Sequence, residues 1–176
     1  MQEVLETAGI SAVKVTIHPP FHLLRSWESC WKCGAVAEAI AFAVAAVTCD
    51  SGDEEDDDEL PVHSPAVLEM IVEAPLPFLA AAAHSSADYR KGYSRTAECE
   101  YFMNHCTCGA PFGDYFLHSE PGHAFFPTGD SEAKAIKVHR IDCHDAQEID
   151  CGFAGWSSHC LVENGTPDEE ISVPLG

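Results

Sequence analysis

From Ser11 to His18 apolar and polar positions alternate, with Val13, Val15 and Ile17 on one side, which predicts a strand. Pro19-Pro20 is expected to end it, because proline cannot donate to a sheet ladder. Phe21 to Trp27 then leads into a cysteine pair. Ala35 to Thr48 carries two signals. Its alanines favour helix, yet Ile40, Phe42, Val44 and Ala46 alternate, and strand is the preferred reading. Ser64-Pro65 reads as an N-cap followed by proline at the first helical position, and Val67, Leu68, Ile71 and Val72 recur at helical spacing, predicting a helix over 65–73. Pro75 and Pro77 interrupt it, and Phe78 to Ala83 is expected to form a second helix.

Ser85 to Thr96 is polar and reads as an exposed loop. It concentrates Arg90, Lys91 and Arg95, a candidate counter-patch for an acidic group. Glu98 to Asn104 and Phe112 to His118 are expected to be strands, separated by a second cysteine cluster. Ser119 to Gly122 is a turn. Asp130-Ser131-Glu132 is expected to cap a short helix before a strand over Ile136–Ile141, and Ala146 to Ala154 is a further strand candidate. The expected fold is a single α+β domain. It has a small antiparallel β-sheet with zinc-ribbon-like knuckles, formed by 26–48 and 98–118, and a helical insert at 60–97 between them. A flexible acidic loop at 49–60 and a loose tail at 164–176 complete it.

Composition narrows the function. The 176 residues hold 29 acidic and 9 basic side chains, a net charge of −20. Such a field repels nucleic-acid phosphate and anionic lipid, so neither nucleic acid nor membrane is an expected partner; the charge serves solubility, the simpler reading, or meets a basic partner protein. Eight of the eleven residues from Cys49 to Glu59 are acidic, a solvated run. It lacks the ligand spacing and central glycine of a calcium loop. No apolar run reaches eighteen residues, and the N-terminus carries no basic-then-apolar leader pattern. Nine cysteines, an odd number, fit reduced thiols in the cytoplasm better than a disulfide framework.

The chemistry sits in two clusters, Cys30-Trp31-Lys32-Cys33-Gly34 and His105-Cys106-Thr107-Cys108-Gly109. A CxxCG turn aims both sulfurs at one point, and its glycine supplies the positive φ that closes the loop. Cys30, Cys33, Cys106 and Cys108 are therefore the preferred ligands of one tetrahedral Zn²⁺. His105 is the alternative to Cys106, because aligning the two glycines places His105 opposite Cys30. Cys49, Cys99, Cys143, Cys151 and Cys160 read mostly as small buried apolar residues.

CWKCG together with YFMNHCTCGAPFGDYFLHSEPGHAFFP resembles a group of uncharacterised bacterial zinc-ribbon-like proteins. In these, a CxxCG knuckle is followed by an aromatic–Asn–x–Cys segment and a Gly-Asp-aromatic-aromatic-Leu-His stretch. The matching positions are Tyr101, Asn104, Cys106, Cys108, Gly113, Asp114, Phe116, Leu117 and His118, within residues 28–34 and 92–127. The second knuckle departs in having CxC. The resemblance implies zinc binding and a β-rich fold, and no reaction.

A zinc-stabilised module that meets a basic partner is thus the expected function, and a non-enzyme is favoured over an enzyme. The second function class is a metal-dependent hydrolase with its site near Asp114, His118 and His123, where Glu120 adds a further carboxylate. Cys143-His144-Asp145 is excluded as a triad, since neighbours in a strand point to opposite faces.

Overall fold

The computed structural model describes residues 12–49, 62–63, 65–154, 158–169 and 171. The first strand, β1 (Val13–Ser29), forms a hairpin with β2 (Val36–Cys49). Pro19-Pro20 does not end β1. The pair is joined by a cis peptide bond, and the register against β2 shifts between His18 and Phe21. The other edge of β1 changes partner at the same place: Val13 to Ile17 pair with β9 (Gln147–Ala154), and Phe21 to Arg25 with β8 (Lys137–Ile141). Two residues without N–H groups fit where one ladder hands over to the next.

β2 carries β3 (Val62–His63) and then β4 (Ala66–Glu73), and β4 pairs with β9. The circuit β1–β2–β4–β9–β1 closes on itself, every pairing antiparallel. This is a mostly β fold built on a closed four-strand barrel, which corrects the expected α+β arrangement of a small open sheet with a helical insert. Residues 66–73 are the clearest reason. Val67 and Leu68 fill different clusters on the two faces of β4, so the segment is buried on both sides and carries no polar alternation. Its register against β9 also slips between Glu69 and Glu73, with Met70 at φ 47°. A bulge changes the phase of a two-residue period. The spacing of Val67, Leu68, Ile71 and Val72 thereby imitates a helix.

Of the expected insert only α1 (Leu76–Ser85) is helical. It covers one end of the barrel, where Phe78 meets Phe21 and Phe42 at ring separations of 5.1 and 5.0 Å. Strand alternation sorts the core. Leu23, Phe42 and Val44 face this cluster, while Leu24, Ala41 and Ala43 face a second cluster with Phe112, Leu117 and Phe125. The small alanines on that second face explain why the β2 segment also looks helical.

Beyond the barrel, β4 pairs with β6 (Cys99–His105), which carries β5 (Tyr89–Ser94) and β7 (Pro111–Phe112). The basic stretch is therefore the edge strand β5 and not a loop. Asp88, Glu98 and Glu100 on the same hairpin answer its three cations, so it presents no net positive patch. Residues 114–119 form a helix, α2 (Asp114–Ser119), in place of the expected strand. Asp114, Leu117 and His118 are its buried side, at i, i+3 and i+4. α3 (Asp130–Ala135) precedes β8, and α4 (Ser158–Asn164) precedes β10 (Thr166–Pro167), which pairs parallel with β8. With Ile171 bridging to Ile141, part of the expected loose tail is sheet. The acidic run after Cys49 and the Ser64 cap lie outside the described residues.

Candidate metal centre

Both cysteine clusters are hairpin loops. The β1–β2 hairpin closes across Ser29 and Val36, and the β6–β7 hairpin across His105 and Pro111. The two loops are wired alike. Cys30 N–H donates to Ala35 O and Gly34 N–H to Cys30 O, both at 2.8 Å. Cys106 N–H donates to Ala110 O and Gly109 N–H to Cys106 O, also at 2.8 Å. Gly34 and Gly109 sit at φ 73° and 82°, where a side chain would be strained. The second loop performs the same turn with one residue fewer. Cys106 therefore occupies the place of Cys30, and CxC is a shortened version of CxxC.

The loops face each other. The sulfurs of Cys30, Cys33, Cys106 and Cys108 all lie within 4.8 Å of one another. Cys30 Sγ is 3.7 Å from Cys108 Sγ, and Cys33 Sγ is 3.6 Å from Cys106 Sγ. A tetrahedron with ~2.3 Å metal–sulfur bonds has sulfur–sulfur edges of ~3.8 Å. These four cysteines are thus close enough to hold a metal ion, and their spacing fits a tetrahedral one. Cys30 and Cys106 are buried, while Cys33 and Cys108 are exposed.

His105 does not join them. It precedes Cys106 on β6, so its side chain leaves the opposite face. Its Nδ1 is 3.0 Å from Met103 O and 3.2 Å from Asp88 O, and its ring lies against Gly92, where a Cβ would come within 3.0 Å of Nε2.

Two polar bridges join the hairpins, and a third ties the first hairpin to the segment after α2. The Asn104 side chain on β6 meets the backbone of Ile40 on β2 as a strand would: Ile40 N–H donates to Oδ1 at 2.8 Å, and Nδ2 donates to Ile40 O at 2.9 Å. Trp31 Nε1 donates to Pro111 O at 3.0 Å, tying the first loop to the second hairpin. Buried Glu28 accepts from Ser29 N–H and, through Oε2, from Ala124 N–H and His123 Nδ1, both at 3.1 Å.

Charge on the sulfurs is shared unevenly. Burial opposes ionisation of Cys30, but the N–H groups of Cys33 and Lys32 outweigh it and lower its pKa to about 6. The Ala35 N–H lowers that of Cys33, yet contact with the Cys108, Cys106 and Cys30 sulfurs dominates and pushes it up to about 12. Four touching thiols cannot all ionise alone. A cation among them would displace the protons.

Of the alternative site, the structure brings Asp114 and His118 together and sets His123 apart. Asp114 and His118 are buried, and they meet Glu69 of β4, with His118 Nδ1 3.5 Å from Glu69 Oε1. Asp114 Oδ2 accepts Met70 N–H at 2.7 Å, satisfying the bulged strand. Burial raises the Asp114 carboxyl to about 6, against the attraction of His118. His123 belongs elsewhere, between Glu28 and the Phe116 ring. Glu28 and Glu69 escaped the sequence reading because single acids inside apolar strands carry no motif. Cys151 is buried and its thiol is pushed up to about 12 by that burial, while Cys49, Cys99 and Cys143 are only half-buried. The side chain of Cys160 lies outside the described residues.

No family model, curated protein or solved structure matches this chain. Among the described residues no helix is long and apolar enough to cross a membrane.

Proposed function

We propose that the four cysteines hold one Zn²⁺ and that the chain is a zinc-stabilised interaction module for a basic partner protein. The convergence of four thiols from two hairpin loops supports the first half. Sulfur-only tetrahedral sites suit zinc or iron, and four protein ligands leave no position for water, the arrangement of structural zinc. Bound there, the ion would cross-link Cys30 and Cys33 to Cys106 and Cys108, joining two hairpins whose first cysteines are 76 positions apart in sequence (106 − 30). The likeness to zinc-ribbon-like proteins belongs to this reading, and rests on the knuckles.

The second half is carried by charge and exposure. A net charge of −20 attracts a basic surface over long range and speeds encounter. At the knuckle end Trp31, Val36 and Trp27 are 67%, 69% and 47% exposed. Trp27 pairs with Glu38 and Ser29 with Val36, so Trp27 and Val36 are diagonal neighbours on one face of the hairpin. Tryptophans of this kind dominate interface energetics. Basic host proteins retained on the immobilised chain should elute as salt rises and be lost with Trp27→Ala/Trp31→Ala. Retention indifferent to both salt and the double variant would overturn the reading, as would salt-sensitive binding of duplex DNA at micromolar concentration.

A further inference from the structure

We infer that the chain carries a second, open metal site for a divalent transition ion, built on His139 and Asp168 with His84 at the rim of the same cavity, and separate from the cysteine cluster. The three line one cavity of about 210 Å³ together with Arg25 and Ser85. His139 stands on β8, Asp168 just after β10, and His84 in the last turn of α1.

The argument starts from His139. Its side chain is only 8% exposed. Its Nδ1 is 3.0 Å from Glu169 O, a carbonyl that can only accept, so Nδ1 carries the proton. In the neutral ring this leaves a lone pair on Nε2. That atom is buried and has no hydrogen-bond partner. What faces it is another acceptor, Asp168 Oδ2, at 3.9 Å. The second Asp168 oxygen is held by Glu169 N–H at 2.8 Å, which fixes the carboxylate with Oδ2 toward the ring. Two acceptors facing each other across a gap too long for a hydrogen bond call for a cation between them: a second ring proton makes the contact an ion pair, and a metal ion entering from the cavity would bridge it. A histidine whose far nitrogen donates to a backbone carbonyl is also the usual arrangement of a metal ligand, because that bond fixes the tautomer and orientation of the ring.

The surroundings fit the same charge. The last turn of the ten-residue α1 brings the negative end of a helix dipole to the cavity. Arg25, the cation in the wall, is paired with Glu38, while it and Lys137 also attract the Asp168 carboxylate. Imidazole nitrogens with one carboxylate select a borderline ion of the zinc, cobalt, nickel or copper kind over calcium or magnesium. The exposed His84 imidazole lines the rim of the same cavity without converging on the other two. With His139 and Asp168 as the protein ligands, the remaining positions face the cavity, which leaves room for water or a small ligand.

Co²⁺ added to the full chain with zinc already in the cysteine site provides the test. Equilibrium dialysis should find one further equivalent of cobalt, with weak ligand-field absorption and no thiolate charge-transfer band, and with paramagnetic broadening of the His84 and His139 ring resonances. His84→Ala removes an exposed side chain and Asp168→Asn a surface carboxylate, so each leaves the fold intact by circular dichroism. Asp168→Asn should weaken the second equivalent on the order of tenfold or more, and His84→Ala should weaken it less. Absence of a second equivalent would overturn the inference. So would an equivalent that both variants bind unchanged, or broadening of other histidines in place of these two. Zinc in the cysteine cluster is measured separately, so failure here leaves that assignment standing.

Discussion

Asn104 is the position where a single side chain decides whether the two hairpins meet. Its amide replaces a stretch of β-ladder between β6 and β2, with both polar atoms engaged by Ile40. Asn104 and Ile40 are each 1% exposed, so water cannot take over. Asn104→Ala strands the Ile40 N–H and C=O in the core, and each orphan costs ~1–3 kcal/mol. The expected loss is therefore ~2–6 kcal/mol, a large part of the ~5–15 kcal/mol that holds a domain of this kind. Asn104→Asp keeps the acceptor for Ile40 N–H but loses the donor and buries a charge, so it should be no better. Denaturant unfolding of the zinc-loaded proteins measures the loss, and competition with a chromophoric chelator measures the affinity. The two effects should appear together, because the same bridge sets the distance between the loops. Asn104→Ala unfolding within 0.5 kcal/mol of the native chain, or retaining full metal affinity, would refute the reasoning.

Three further outcomes follow from the same geometry. Asp114→Asn should change stability in a pH-dependent way. The folded carboxyl is raised from 3.8 to about 6, so its ionisation costs stability above pH 6, and the cost fades as pH falls toward 4. Relative to the native chain the variant should improve by ~2.5 kcal/mol between pH 4 and pH 8, and a flat or opposite difference in urea titrations would contradict the burial argument. Gly165→Ala should destabilise by more than ~1 kcal/mol, since its Cβ would stand 2.5 Å from Val138 Cγ2 and 2.6 Å from Leu161 O; an unchanged melting temperature would show that the turn gives way freely. Cys33→Ser exchanges an exposed ligand and should lower zinc affinity at least tenfold without a packing defect, which a chelator titration of both proteins would reveal.

The sequence made the site far more legible than the frame around it. The cysteines announce themselves because a metal needs its ligands at short local spacing, and each glycine marks its loop. The shortened second loop hid which residue replaces Cys30, and only the backbone wiring of Cys106 resolves it. The start of β1 was readable from alternation, with Val15 and Ile17 buried and Lys14 exposed. β4 was not, because it is covered on both sides and bulged at Met70, so tertiary burial and a phase slip together wrote a helical pattern. Residues 114–119 misled in the opposite sense. Their apolar positions satisfy either period over so short a stretch, and the helix is chosen by the burial of Asp114 and His118 against Glu69, a partner 45 positions before Asp114 (114 − 69). Barrel closure joins β1 to β9 across most of the chain, a pairing that no local pattern encodes.

The central claim is a zinc ion held by four sulfurs. Elemental analysis of the purified chain, combined with X-ray absorption at the zinc edge, tests it most directly. The account predicts about one zinc per chain and a single shell of four sulfur neighbours at ~2.3 Å. A chain without stoichiometric zinc, or a shell with a nitrogen neighbour in place of one sulfur, would contradict it.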